Sequence, residues 1–175
     1  IQSLPAPVTG KAPRKAAAFE TGAGTFSLRF TARAADESEI DRWVTPLTAP
    51  DWGASPVSMS SPRLYRSRSL PEWRAIQSAP DAVPTAVRQF GQGDRVLVAV
   101  ECYGESPGFS LELAAHVLTR EGKELTALPV PAPEQGTSRF ELPVGSLGQG
   151  TYLLRVRATL GPIQVQELVP IRIAR

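Results

Sequence analysis

The sequence predicts an all-β chain in which two antiparallel sheets stack as a sandwich. Three observations predict it. Apolar residues recur with a period of two along several stretches, the mark of half-buried strands. Proline (17) and glycine (14) are plentiful among the 175 residues, which suits many short strands joined by turns. Between those strands no stretch carries the 3.6-residue rhythm of a long helix.

The clearest strand follows the turn Ser146-Leu147-Gly148-Gln149-Gly150. There Tyr152, Leu154, Val156 and Ala158 form a dry face, while Thr151, Arg155 and Arg157 stand opposite with Leu153. Taken from the N-terminus, residues 1–24 are rich in Pro, Ala, Lys and Gly and read as a lead-in loop. Phe26, Leu28, Phe30 and Ala32 then alternate with polar residues in an amphipathic strand. An acidic turn, Asp36 to Asp41, separates it from an extended segment, Trp43 to Pro50, and Val57 to Tyr65 reads as a further strand. From Arg66 to about Gln89 the apolar rhythm lapses. Ser-Arg repeats and Pro71, Pro80 and Pro84 mark a connector, with one helical turn near Glu72 to Gln77.

After the turn at Gly91 to Asp94 a strand places Val96, Val98, Val100 and Cys102 on one face, with Leu97 and Ala99 on the other. Leu111, Leu113, Ala115 and Val117 line the next strand, and a turn at Arg120 to Lys123 leads to Glu124–Val130. Phe140, Leu142 and Val144 precede the strand described first. In the last strand Ile163, Val165, Val169, Ile171 and Ile173 share a parity that Glu167 interrupts, so a bulge or change of sheet is expected there. Six strands from about Phe90 to Arg175 predict one sandwich, with a barrel as the competing architecture. A Gly-x-Tyr entering a late strand favours the sandwich, and specifically an immunoglobulin-like one, because that fold places a tyrosine corner there.

Part of the pattern repeats. Gly24 to Ala32 matches Gly150 to Ala158 at seven of nine positions, the exceptions being Ser27/Leu153 and Thr31/Arg157. Val44-Thr45-Pro46-Leu47-Thr48 likewise matches Leu168-Val169-Pro170-Ile171-Arg172. Residues 1–70 are therefore expected to be a partial β unit, holding the last strands of a first sandwich, with residues 25–65 left to dock on the second sandwich, to pair with chain outside this sequence, or to be poorly ordered. Residues 71–89 form the connector, and 90–175 the sandwich proper.

Net charge is only +2, with eleven cations against eight anions in residues 1–90 and eight against nine in 91–175. That balance gives no electrostatic footprint for nucleic acid. No apolar run reaches membrane-spanning length, so no membrane insertion is expected. The start, Ile1-Gln2-Ser3-Leu4-Pro5, has neither an initiator Met nor a signal-peptide plan, and reads as part of a longer polypeptide. Cys102 is the only cysteine, which excludes an internal disulfide; its parity makes it a small core residue rather than a nucleophile.

His116 is the only histidine and falls on the polar parity of its strand. Without a Gly-x-Ser-x-Gly elbow no catalytic role is assigned to it. One His and one Cys cannot close a zinc site. The acidic turn lacks the Asp-x-Asp-x-Asp-Gly spacing of a calcium loop and reads as a solvated hairpin tip. No catalytic, cofactor or metal residue is expected. The residues offered as contacts for a ligand or partner are Trp43, Trp52 and Trp73, with the basic run Arg63, Arg66 and Arg68. Exposed tryptophans could stack on sugars, but the favoured reading is that they cover the seam between the N-terminal strands and the second sandwich.

The motifs at Gly24–Ala32, Ser60–Leu64, Gln89–Val98, Leu147–Ala158 and Glu167–Pro170 resemble the C-terminal region of bacterial secreted proteins that carry a von Willebrand factor type A domain. That resemblance implies a non-enzymatic accessory or spacer module, secreted or periplasmic. Its partners would be other domains of the same polypeptide, another protein or a polysaccharide. The Asp-x-Ser-x-Ser motif of the type A domain does not occur here, so that domain's ligand binding is not carried over. Two other expectations are a carbohydrate-binding module using the tryptophans and the accessory domain of a hydrolase.

Overall fold

The structure, a computed structural model, describes residues 21–51, 54–79, 82–104 and 110–174. Most of the expected lead-in and Trp52 lie outside the described residues. The chain forms two compact units, Ile1–Ser55 and Pro56–Arg175.

In the first unit β1 (Gly24–Arg33) pairs antiparallel with β2 (Glu39–Ala49). The acidic turn between them closes on its own side chains. Asp36 Oδ1 accepts from the Ser38 amide (3.0 Å) and the Ser38 hydroxyl (2.6 Å), an Asx turn that lets Glu37 take a φ of 68°.

The second unit is an all-β sandwich. Val57 to Tyr65 resolves into two short strands, β3 (Val57–Met59) and β4 (Arg63–Ser67), followed by a helix, α1 (Leu70–Ser78). The remaining strands are β5 (Gln89–Gly91), β6 (Arg95–Gly104), β7 (Leu111–Thr119), β8 (Glu124–Leu128), β9 (Thr137–Leu142), β10 (Gly150–Leu160) and β11 (Ile163–Ala174). One sheet has the order β5-β11-β10-β7-β8, antiparallel except for the short parallel pair of β5 with β11. The other is centred on β6, with β9 along one side and β4 then β3 along the other. Met59 faces Cys102 and Arg63 faces Ala99, so the β3–β4 side holds one extra residue. The Ser60 hydroxyl stitches that irregularity by accepting from the Glu101 amide at 3.0 Å.

Alternation along these strands delivers one face of each sheet to a common core. Leu64, Val96, Val98, Val100, Phe140 and Leu142 meet Phe90, Val117, Leu154, Val156, Ile171 and Ile173 there, all buried. Each fully buried aliphatic or aromatic side chain contributes roughly 1.5–3 kcal/mol. Entry to β10 is fixed by Tyr152, whose hydroxyl donates to the Gly148 carbonyl at 2.9 Å.

Three expectations are corrected. Residues 57–67 do not belong to the first unit: their strands pair with β6, so the break falls at residue 55 rather than 70. The sequence obscured this because β3 and β4 are too short to show a period. The connector carries about two and a half turns of helix rather than one. Ser69 caps it, accepting from the Glu72 amide at 3.3 Å, while Glu72 accepts from the Arg68 amide at 2.8 Å. Finally, β11 has no bulge at Glu167. Its register with β10 is unbroken from Gly150↔Ile173 to Leu160↔Ile163, and Glu167 sits half-buried opposite Val156.

Candidate functional site

The sequence pointed to three groups of side chains, and the second unit holds two of them. The basic run is paired within its own unit, three arginines sharing two carboxylates, Glu101 and Asp94. Arg63 pairs with Glu101, which also accepts from the Tyr103 hydroxyl at 2.8 Å. Arg66 and Arg68 converge on Asp94, at 3.9 and 3.7 Å. The Asp94 side chain is only 10% exposed and also accepts from the Gly91 amide at 2.9 Å. These arginines therefore brace the β4, β5 and β6 region from carboxylates of the same unit. The hydroxyl of Tyr103, with Arg63 secondarily, holds the Glu101 carboxyl below the ordinary carboxylate range.

Trp73 projects from α1 and is 5% exposed. The Arg95 guanidinium lies 4.3 Å from its ring centroid, and Arg139 donates to the Gln77 carbonyl at 3.3 Å. Both contacts tie α1 to the outer face of the β6-centred sheet, where Leu97 and Ala99 are also buried. A stacked cation–π pair of this kind is worth about 0.5–1 kcal/mol, or more when desolvated. Trp73 is thus a packing residue with no face left to stack on a sugar.

The third group lies in the first unit, and only part of it is described. Trp43 is 50% exposed and stacks on Phe30 across the hairpin, with centroids 4.8 Å apart and planes 12° from parallel. It is the one expected tryptophan whose ring is presented to solvent, among the described residues.

His116 and Cys102, the two reactive side chains weighed from sequence, are placed far apart in character. Cys102 is buried on β6, and burial pushes its thiol up to about 11. His116 lies on the outer face of the five-stranded sheet, opposite Arg155 of β10 and Ala127 of β8. Its Nε2 is 3.9 Å from Glu124, which also pairs with Arg155. The Arg155 hydrogen bond holds the Glu124 carboxyl below its ordinary value. His116 Nδ1, Arg155 Nε and Arg157 Nε are shielded from solvent and have no hydrogen-bond partner. Sequence reasoning missed this cross-strand cluster because a partner one strand away is set by register, which no local spacing encodes.

A shallow hollow of about 450 Å³ lies beside β9, lined by Pro131, Glu134, Gln135, Thr137, Ser138 and Arg139. Its Ser138 hydroxyl donates to the Pro131 carbonyl at 2.9 Å, a loop-tying bond. Among the described residues no group of three or more His, Cys, Asp or Glu could hold a metal ion. No helix among them is long and apolar enough to cross a membrane. No protein-family model matches the chain, and no curated protein matches it either.

Proposed function

We propose that the chain is a non-enzymatic interaction or spacer module of a larger secreted or envelope-associated bacterial polypeptide, built on an immunoglobulin-like sandwich. What carries this reading is the structural employment of the side chains that could otherwise do chemistry. Cys102 is core, His116 lies beside the Glu124–Arg155 ion pair on a sheet face, and the arginine run faces carboxylates of its own unit. The immunoglobulin-like reading is supported by the parallel β5–β11 edge and by the Tyr152 hydroxyl bonded four residues upstream to Gly148. The secreted, multidomain setting is what the resemblance to type A domain-containing proteins implies.

The test is incubation with generic ester, peptide and glycoside substrates. No turnover is expected from the wild-type chain. Turnover that His116→Ala abolishes would overturn the proposal.

A second reading, carbohydrate binding, is favoured by the Phe30–Trp43 stack, a flat aromatic pair of the kind that sugar rings cover. Titrating Trp43 fluorescence with cell-wall and plant polysaccharides decides it: a saturable shift supports it, and no shift with any of them removes it.

A further inference from the structure

The two hairpins agree in more than composition. In β1–β2 the register sets Ser27 opposite Pro46 and Leu28 opposite Thr45. In β10–β11 it sets Leu153 opposite Pro170 and Leu154 opposite Val169. These are the positions matched by the sequence repeat, so both repeats fold as the same hairpin in the same register. Each strand pair also opens on a glycine with positive φ, Gly24 at 139° and Gly150 at 157°, two residues before an aromatic.

Their surroundings differ. In the second unit the face carrying Leu154, Val156 and Ile171 is core, with those residues no more than 1% exposed. At the matched positions of the first unit stand Leu28, half-buried, Phe30, 40% exposed, and Leu47, 36% exposed. Trp43 takes the place of Glu167 and widens the apolar face further. What covers this face in the second unit is the sheet of β3, β4, β6 and β9, and every strand of it precedes β10 in the chain.

We propose that β1–β2 is the closing hairpin of a separate sandwich, and that its apolar face receives an antiparallel sheet supplied by the same polypeptide N-terminal to it. The covering sheet has the chemistry of the β6-centred one: β-branched and aromatic residues alternating on its inward face. Size favours a tethered occupant over a second copy. One hairpin face spans on the order of 350 Å², from about 34 Å of strand by about 10 Å of width. A stable association between separate chains needs roughly 800 Å² from each partner. A sheet tethered in the same chain escapes that requirement, because linkage makes docking intramolecular. An isolated two-stranded hairpin is marginal in water, so covering the face also supplies the stability the hairpin lacks.

This inference rests on reading the chain as a module of a larger polypeptide, but its test reads burial rather than turnover or saccharide binding. Hydrogen exchange is measured on the wild-type 175-residue chain and on the natural polypeptide with everything N-terminal to Ile1. In parallel, acrylamide quenching is measured on each with and without Trp43→Phe, the difference giving the Trp43 signal. The amides of β1 and β2 should exchange at least tenfold more slowly in the longer polypeptide, and Trp43 quenching should fall several-fold. Equal exchange and quenching in the two would overturn the proposal. So would protection already complete in the 175-residue chain, or protection that grows with protein concentration. The wild-type exchange experiment stands even if the tryptophan variants fold poorly.

Discussion

Cys102 shows how a single residue can report on the fold. Its thiol, raised by burial from 9.0 to about 11, stays neutral in the folded chain while an unfolded copy ionises near its ordinary value. The unfolded state therefore holds fewer protons between those two values, and stability falls as pH rises from about 9 towards 11. Cys102→Ala should flatten that alkaline limb in denaturant titrations at several pH values, and the wild-type thiol should react with a disulfide reagent only on unfolding. Glu101 works in the opposite sense. Its folded pKa is lowered, first by the Tyr103 hydroxyl, so its contribution is present above the ordinary carboxylate range. It is lost as pH falls through the folded value, and Glu101→Gln should shrink the acid-side loss of stability. Trp73, removed to Ala, takes a buried ring from α1 and leaves Arg95 without its cation–π partner; a loss of about 3–5 kcal/mol in urea unfolding is expected.

At the scale of elements, the matched hairpins make a paired prediction. Leu154 is fully buried between the sheets, and Leu154→Ala should cost about 2–5 kcal/mol. Leu28 occupies the equivalent register position, yet in the 175-residue chain Leu28→Ala should leave the main thermal transition where it is. Scanning calorimetry of the two variants checks both halves. Another element-scale constraint is the approach of β3 to the end of β6. A Cβ on Gly104 would sit 2.6 Å from the Pro56 carbonyl oxygen, which is backbone and cannot swing away. Only glycine lets those strands close at that point.

For the whole molecule, the boundary at residue 55 changes which fragment should fold. Residues 56–175 contain both sheets and should melt cooperatively alone. Residues 90–175, the sandwich expected from sequence, lack β3, β4 and α1, and with them buried Val57, Met59, Leu64 and Trp73. That shorter fragment should show a melt at least 10 °C lower or none, by circular dichroism. A shared melting temperature for the two fragments would mean that β3, β4 and α1 contribute nothing to the core.

Period-two alternation determined the all-β class, most of the strands and the core face of the longer ones, β6, β7, β10 and β11. A strand shows its dry side in every second residue, so β6, β10 and Cys102 could be placed with no partner known. One helical turn near Glu72 to Gln77 was legible too, but a single buried tryptophan leaves too faint a helical rhythm to set the length of α1. Only the tertiary structure decided which strands are neighbours. It gave 57–67 to β6, joined His116 to Glu124 and Arg155, and bound Arg66 and Arg68 to Asp94. Those pairings cross long sequence separations and are chosen by register and core packing, which act between strands and leave no period within any one of them.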